Sequence, residues 1–148
     1  MPERPLSQHE PIARDVVLVV EDEWPNRVLL KATLERAAIA RVRRAIVLEA
    51  ATLGEARSHL AAGQIDLMVL DVRLPDGDGL ALARELNSAD RRPRILVLSA
   101  SVLATERTVA LDAGTDAFMA KPFVPADVVR TMAALLDAGP VVTSGGRP

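Results

Sequence analysis

Five short runs of apolar residues divide this chain, and their lengths and spacing constrain the fold more than any other feature of the sequence. The runs occupy residues 16–20, 45–48, 67–70, 95–98 and 117–120. Each run is continuously apolar, a pattern typical of strands that are covered on both faces by helices. Segments with helical periodicity separate the runs. The pattern therefore predicts five strand–helix units, (βα)5.

The segments between the runs carry start and stop signals for helices. Thr52 with Glu55 forms a capping-box pattern, Pro125 suits the first turn of a helix, and Gly139 suits a helix end. Helices are also expected at 78–86 and at about 103–113. Because right-handed crossovers are the rule, helices should cover both faces of the sheet. Periodicity alone does not set the strand order. We expect a flavodoxin-like α/β three-layer sandwich with the parallel order 2-1-3-4-5, which places the acid-bearing first and third strands side by side.

Composition fits one domain with an aliphatic core. The chain has 148 residues, of which 49% are hydrophobic and only 2% aromatic, with no cysteine and a formal net charge of −2. The low net charge and the scarcity of aromatic residues do not indicate direct nucleic acid binding. No apolar run approaches the ~20 residues that span a membrane. We expect a flexible leader at 1–14, a folded domain at 15–138, a disordered tail at 139–148, and a soluble protein in the cytoplasm.

Residues able to take part in phosphate chemistry follow four of the five strands. Glu21 and Asp22 follow the first strand, Asp71 the third, Ser99 the fourth and Lys121 the fifth. The carboxyl ends of parallel strands meet at one edge of a sheet, where such folds bind ligands. Three carboxylates close together repel one another without a cation, and oxygen ligands favour Mg²⁺ or Mn²⁺. The sequence therefore predicts a divalent metal site formed by these acids.

Asp71 is also a candidate nucleophile. A carboxylate oxygen can attack phosphorus and form an aspartyl phosphate. Lys121 would place a positive charge on a phosphate oxygen, and Ser99 would donate a hydrogen bond to another. The backbone at Val72 and Arg73 could supply N–H donors and a carbonyl ligand for the metal.

Together these residues resemble the receiver domain of two-component response regulators. The resemblance covers about 15–138. The matching segments are 19–23 (Val-Val-Glu-Asp-Glu), 70–79 (Leu-Asp-Val-Arg-Leu-Pro-Asp-Gly-Asp-Gly), 98–100 (Leu-Ser-Ala) and 120–123 (Ala-Lys-Pro-Phe). Each motif is weak alone, but four in this order are highly specific. Trp24 departs from the family, which often has a small residue or proline there, and its bulk is expected to cover part of the metal site.

The resemblance implies a role for each matched position. Asp71 corresponds to the phospho-acceptor, and Ser99 and Phe118 correspond to the pair that switches conformation. Lys121 matches the lysine of the family, which also has a cis peptide bond before the following proline. The implied metal ligands are Glu21, Asp22, Asp71 and the backbone carbonyl of Arg73.

The implied function is that of a single-domain response regulator, which takes a phosphoryl group from a histidine kinase or phosphotransfer protein. Such a protein catalyses only its own phosphorylation and slow autodephosphorylation, so we do not expect an enzyme acting on a separate substrate. The signal would leave by contact with an unknown downstream protein. A homodimer through the fourth helix, fifth strand and fifth helix is a further expectation from the family.

Three other interpretations remain open from the sequence. The chain could be a degenerate receiver that acts as a constitutive binding module, or the receiver fragment of a longer DNA-binding regulator. A Mg²⁺-dependent phosphatase of the haloacid dehalogenase type is disfavoured, because Arg73 stands where a second acid is expected. The basic clusters 41–44 and 91–94 are expected to form solvated faces away from the acids.

Overall fold

Five long strands form one parallel sheet in the computed structural model, which describes residues 13–101 and 103–142. The long strands are β1 (Val16–Val20), β2 (Ile46–Ala50), β3 (Leu67–Asp71), β7 (Arg94–Ser99) and β8 (Ala117–Ala120). Their order is β2-β1-β3-β7-β8. Numbered along the chain as long strands alone, this is the predicted order 2-1-3-4-5, so the predicted fold is confirmed.

Helices connect the long strands. They are α1 (Trp24–Glu35), the short α2 (Ala40–Arg43), α3 (Leu53–Ala62), α4 (Gly79–Leu86), α5 (Ala104–Asp112) and α6 (Pro125–Ala138). Helix α6 begins at Pro125 and ends before Gly139, as predicted. Helix α4 begins one residue later than predicted, because Asp78 is its cap and accepts a hydrogen bond from the N–H of Leu80.

The sheet separates two apolar cores, because side chains of a strand point alternately to its two faces. Leu18 and Val20 of β1 face the core under α3, α4 and α5. Val17 and Val19 face the other core, under α1 and α6. All four side chains are buried, and full burial of an aliphatic side chain contributes roughly 1.5–3 kcal/mol. This two-sided burial explains why the strand segments are continuously apolar.

The start of α3 follows the predicted capping pattern with one difference. The Thr52 hydroxyl accepts a hydrogen bond from the N–H of Glu55 at 3.0 Å. The Glu55 carboxylate accepts from the N–H of Ala51, at 2.7 Å, rather than from that of Thr52 itself. Both bonds fix the turn that leads from β2 into the helix.

Two short antiparallel pairs were not predicted. Strands β4 (Arg73–Leu74) and β5 (Gly77–Asp78) form a hairpin directly after β3. Strands β6 (Arg91–Arg92) and β9 (Val141–Val142) join the segment before β7 to the segment after α6. The prediction of a disordered tail from residue 139 is therefore wrong at Val141–Val142, because pairing with β6 satisfies their backbone groups. Residues 143–148 of that tail, and residues 1–12 of the predicted leader, lie outside the described residues.

The prediction of a solvated face at residues 91–94 holds for the exposed Arg91 but is wrong for Arg92 and Arg94. Arg92 is only 6% exposed, because its guanidinium is paired with Asp116 at 2.8 Å. Arg94 contacts the same carboxylate at 3.1 Å. Both guanidinium groups are therefore paired with Asp116 within the fold, where the sequence predicted contact with solvent. Over the ranges that the structure describes, no helix is both long and apolar enough to cross a membrane.

Candidate functional site

Strand register brings the predicted site residues to one edge of the sheet. Val20 lies beside Leu70, so Glu21 and Asp22, which follow Val20, meet Asp71 at the end of β3. Ser99 ends β7 and pairs with Ala120, the residue before Lys121. The side chains thus come from four different strand ends, as parallel pairing requires.

Glu21, Asp22 and Asp71 form a cluster of carboxylates. One oxygen atom from each lies within 4.8 Å of the others. Glu21 is 2% exposed, Asp71 is partly buried, and Asp22 is open to solvent. The ligand atoms are all oxygens, which suits a hard cation that keeps some of its water. These three acids could therefore hold a divalent metal.

Lys121 contacts two of these acids unequally. Its Nζ lies 2.6 Å from Glu21 Oε1 and 3.6 Å from Asp71 Oδ2. The other oxygen of Glu21 accepts a hydrogen bond from the N–H of Glu23 at 3.1 Å. Glu21 thus has partners for both oxygens. Asp71 keeps more of its carboxylate free for a cation or for chemistry.

The surroundings shift the pKa values of this group in different directions. Burial raises the pKa of Asp71 to about 6, and the charge of Glu21 adds to this rise while Lys121 opposes it. Burial also acts to raise the pKa of Glu21, but hydrogen bonds from Lys121 and the Glu23 backbone outweigh it and lower that pKa. Burial acts to lower the pKa of Lys121, but its two carboxylate partners raise it. Lys121 and Glu21 are therefore charged at neutral pH.

Ser99 and Phe118 occupy neighbouring strands near this cluster. Ser99 is 5% exposed, and its hydroxyl accepts a hydrogen bond from the N–H of Ser101 at 3.1 Å. The Ser99 carbonyl accepts from the N–H of Lys121 at 2.8 Å, which ties the two strand ends together. Phe118 is half-buried, with the Arg107 guanidinium 5.9 Å from its ring centre.

The hairpin after β3 sets the backbone beside Asp71. The Val72 carbonyl accepts a hydrogen bond from the N–H of Gly79 at 2.6 Å. The N–H of Arg73 lies 3.4 Å from Asp71 Oδ1, a long contact. The peptide bond between Lys121 and Pro122 is cis.

An open cavity of about 580 Å³ lies over the cluster. Its walls include Asp22, Asp71, Ser99 and Lys121, and other parts are lined by Glu23, Asn26, Val72, Arg73, Ala100, Ser101, Leu103 and Glu106. Trp24 is 66% exposed and is not part of this lining, so the expectation that it covers the metal site is wrong. Trp24 is the first residue of α1, and Asn26, two residues further on, lines the cavity instead.

Sequence reasoning missed Arg27. Its guanidinium donates to the carbonyls of Glu21 and Asp22 at 2.8 and 3.2 Å, and it lies 3.4 Å from Glu49. Arg27 therefore fixes the backbone of Glu21 and Asp22 by binding their carbonyl groups. Glu49 forms an ion pair with this arginine and so fixes its position. An arginine in the first turn of a helix carries no signal of such a contact.

The family of this chain is shown by comparison with known proteins. Residues 17–133 match the family model described as the response regulator receiver domain. The KDP operon transcriptional regulatory protein KdpE of Escherichia coli is 39% identical over 107 residues, which cover 72% of this chain and 44% of KdpE. The transcriptional regulatory protein ResD of Bacillus subtilis is 35% identical over 120 residues, which cover 81% of this chain and 47% of ResD. The chain thus spans about half the length of these curated relatives.

Solved structures agree with the fold. A CheY-like response regulator receiver domain protein from Methanospirillum hungatei has a TM-score of 0.72 at 24% identity, with 85% of this chain and 96% of that one covered. The receiver domain of the sensor histidine kinase PA1611 from Pseudomonas aeruginosa has a TM-score of 0.71 at 26% identity, covering 84% and 99%. A magnesium ion is coordinated in the active site cleft of that structure. With its acids, serine and lysine gathered at the carboxyl edge of a 2-1-3-4-5 sheet, this chain belongs to the response regulator receiver family.

Proposed function

We propose that this receiver accepts a phosphoryl group on Asp71 in the presence of Mg²⁺. The donor would be a phosphohistidine of a histidine kinase or of a phosphotransfer protein. The observation that carries the proposal is the gathering of Asp71 with two further acids and Lys121 in one open cavity. Carboxylates alone would make a metal site, and the lysine adds a positive charge where a phosphoryl group would enter.

The residues present fit a magnesium ion. Glu21, Asp22 and Asp71 supply carboxylate oxygens, and the Arg73 carbonyl supplies a neutral one. Bound Mg²⁺ would neutralise charge on the carboxylate and on the phosphoryl oxygens. The magnesium ion in the PA1611 receiver supports the same metal here. Mn²⁺ is an alternative with similar preferences for oxygen ligands.

Asp71 would act as the nucleophile. One of its carboxylate oxygens forms the new P–O bond while the P–N bond to the donor histidine breaks and its electron pair stays on the imidazole nitrogen. Lys121 lies 3.6 Å from Asp71, close enough to pair with a phosphoryl oxygen. The reaction needs positioning and charge neutralisation rather than an additional base. The protein would thus catalyse its own phosphorylation and slow dephosphorylation, without a separate substrate.

Phosphorylation would be read as a change of conformation at Ser99 and Phe118. The Ser99 hydroxyl would exchange its bond from Ser101 for one to the phosphoryl group, and Phe118 would move into the space released. Helix α5 lies next to Phe118. Its exposed apolar side chains are Val109 and Leu111, and Leu103, just before the helix, is exposed as well. These exposed apolar side chains support output by protein–protein contact or dimerisation through α5, β8 and α6. We propose that this part of the chain does not itself bind nucleic acid.

Intact-mass analysis after incubation with acetyl phosphate tests the proposal. Wild type with Mg²⁺ should gain one phosphoryl group, and Asp71→Asn should gain none. Asp90→Asn, an exposed aspartate away from the cavity, is the matched control and should behave as wild type. Omitting Mg²⁺ should abolish the adduct.

Two results would count against the proposal. An adduct on Asp71→Asn would mean that another residue is the acceptor. A wild type that neither gains a phosphoryl group, from acetyl phosphate or from a phosphohistidine donor, nor binds Mg²⁺ would indicate a degenerate receiver that serves as a binding module.

A further inference from the structure

Asp76, at the tip of the hairpin that follows Asp71, is bound to a neighbouring helix. Its Oδ1 accepts a hydrogen bond from the N–H of Leu53 at 2.8 Å, and its Oδ2 accepts from the N–H of Gly54 at 3.0 Å. Both donors belong to the first turn of α3, where backbone N–H groups have no partner within the helix. These two bonds lower the pKa of Asp76 and keep it ionised. One carboxylate therefore links the hairpin to α3.

Packing fixes the same contact. A Cβ on Gly77 would lie 3.0 Å from Leu53 Cδ1, so the turn rests directly on that side chain. Leu53 is 2% exposed and belongs to the core under α3. Gly77 has a φ of +148°, which only glycine adopts readily. The hairpin tip is thus seated on a rigid part of the molecule.

The base of the hairpin is fixed against Asp71. The N–H of Gly79 donates to the Val72 carbonyl at 2.6 Å, and a Cβ on Gly79 would lie 2.2 Å from the Asp71 carbonyl oxygen. Arg73, whose carbonyl is a candidate metal ligand, lies between these two fixed points. Its side chain is 85% exposed, so it does not hold the strand in place by burial.

We propose that Asp76 is a positioning residue for the metal site. It holds the hairpin on the N-terminus of α3, and the hairpin in turn holds the Arg73 carbonyl and the Asp71 carboxylate in one arrangement. Mg²⁺ tolerates little departure from octahedral geometry, so a hairpin released at its tip should bind it less well. The inference rests on the proposed Mg²⁺ binding and adds a residue that touches neither the metal nor the phosphoryl group.

Magnesium titration by calorimetry tests this, without phosphorylation, on wild type and three variants. Asp76→Ala should weaken Mg²⁺ binding about tenfold, as is typical when a supporting partner of a metal ligand is removed. Asp76→Asn should weaken it less, because its amide oxygen can still accept one of the two bonds. Thr52→Ala is the matched control, since it removes a different cap of α3, the bond from the N–H of Glu55, and leaves the hairpin untouched.

Thr52→Ala should bind Mg²⁺ as wild type does, even if α3 is destabilised. Equal Mg²⁺ affinity in wild type and Asp76→Ala would overturn this inference but not the proposed function. An equal loss in Thr52→Ala and Asp76→Ala would also overturn it, because the effect would then come from the stability of α3. No Mg²⁺ binding by wild type would overturn the proposed function as well. Circular dichroism verifies folding, and Asp76→Asn carries the test if Asp76→Ala does not fold.

Discussion

At the scale of single residues, the site places the buried Glu21, whose two oxygens both have partners, beside the partly buried Asp71, which has fewer partners. Lys121 lies 1.0 Å closer to Glu21 than to Asp71, at 2.6 against 3.6 Å. The cost of burying a charge therefore falls mainly on Asp71, whose pKa rises to about 6. Without a bound cation, the Asp71 carboxylate is therefore a destabilising charge at neutral pH.

This cost predicts that Asp71→Asn stabilises the metal-free protein. In wild type the pKa of Asp71 rises from 3.8 to about 6 on folding, which corresponds to roughly 2–3 kcal/mol. Because the folded-state pKa is the higher one, wild-type stability should fall as the pH rises through the window between these two values. The gain from Asp71→Asn should be complete above about pH 6 and absent below pH 3.8. Urea unfolding with EDTA from pH 3.5 to 8 measures it.

Asp66→Ala provides a different pattern for comparison. Asp66 accepts a hydrogen bond from the N–H of Val16 at 2.8 Å at the opposite edge of the sheet, so its loss should destabilise. Equal stability of wild type and Asp71→Asn at pH 8 without metal would contradict the predicted cost. Added Mg²⁺ should stabilise wild type more than Asp71→Asn, since the cation removes the repulsion.

The sequence predicts residue positions better than residue contacts. Asp71, Ser99 and Lys121 could be placed at one edge because each directly follows or ends a strand, and parallel strands bring those ends together. The preference of Lys121 for Glu21 depends on side-chain reach past the two intervening strands, β7 and β3, and no local pattern encodes that. Trp24 shows the same limit, because the position of a residue around the helix axis decides whether its side chain points toward the acids or into solvent.

At the scale of elements, the hairpin after β3 depends on a close approach at Gly79. Gly79→Ala should destabilise the protein by about 2–4 kcal/mol, because the new Cβ would lie 2.2 Å from the Asp71 carbonyl oxygen and the backbone would have to move. Since Asp71 would move with it, Mg²⁺ binding should weaken as well. Thermal unfolding and magnesium titration of the same samples measure both effects.

Gly63→Ala is the matched control for this change. Gly63 ends α3 with an extended backbone, and a Cβ there would meet nothing within 4 Å. This variant should keep wild-type stability within about 0.5 kcal/mol, as is usual for surface positions. A Gly79→Ala protein as stable as Gly63→Ala would show that the backbone at Asp71 yields easily, contrary to the packing.

Long elements could be predicted from the sequence, but short ones could not. The five long strands and the helix from Pro125 carry strong patterns over many residues. Strands β4 and β5 have two residues each, which is too short for periodicity, and the Pro75–Asp76 turn between them gives only a general turn signal. The contact of Asp76 with α3 joins residues more than 20 positions apart, so it follows from tertiary packing alone.

At the scale of the whole molecule, a second polar cluster closes the edge of the sheet opposite the site. Asp116 pairs with Arg92 and Arg94 and accepts a hydrogen bond from the N–H of Ile95. Arg94 also donates to the Gly139 carbonyl at 2.7 Å, next to the β6–β9 pair. The cluster thus connects three chain segments. Its basic members looked like a solvated face in the sequence, because their acidic partner lies more than 20 residues away.

Breaking this cluster should cost far more than breaking an ion pair on the surface. Asp116→Ala should lower the free energy of unfolding by about 3–5 kcal/mol, because it leaves the 6% exposed Arg92 with an uncompensated charge. In Glu85→Ala, the lost pair with Arg57 is as short, at 2.6 Å, but both side chains are about half exposed. That variant should unfold at nearly the wild-type urea concentration. Similar losses of unfolding free energy in the two variants would mean that water, rather than Asp116, compensates the charge of Arg92. The segment after α6 would then be held only by its backbone pairing with β6.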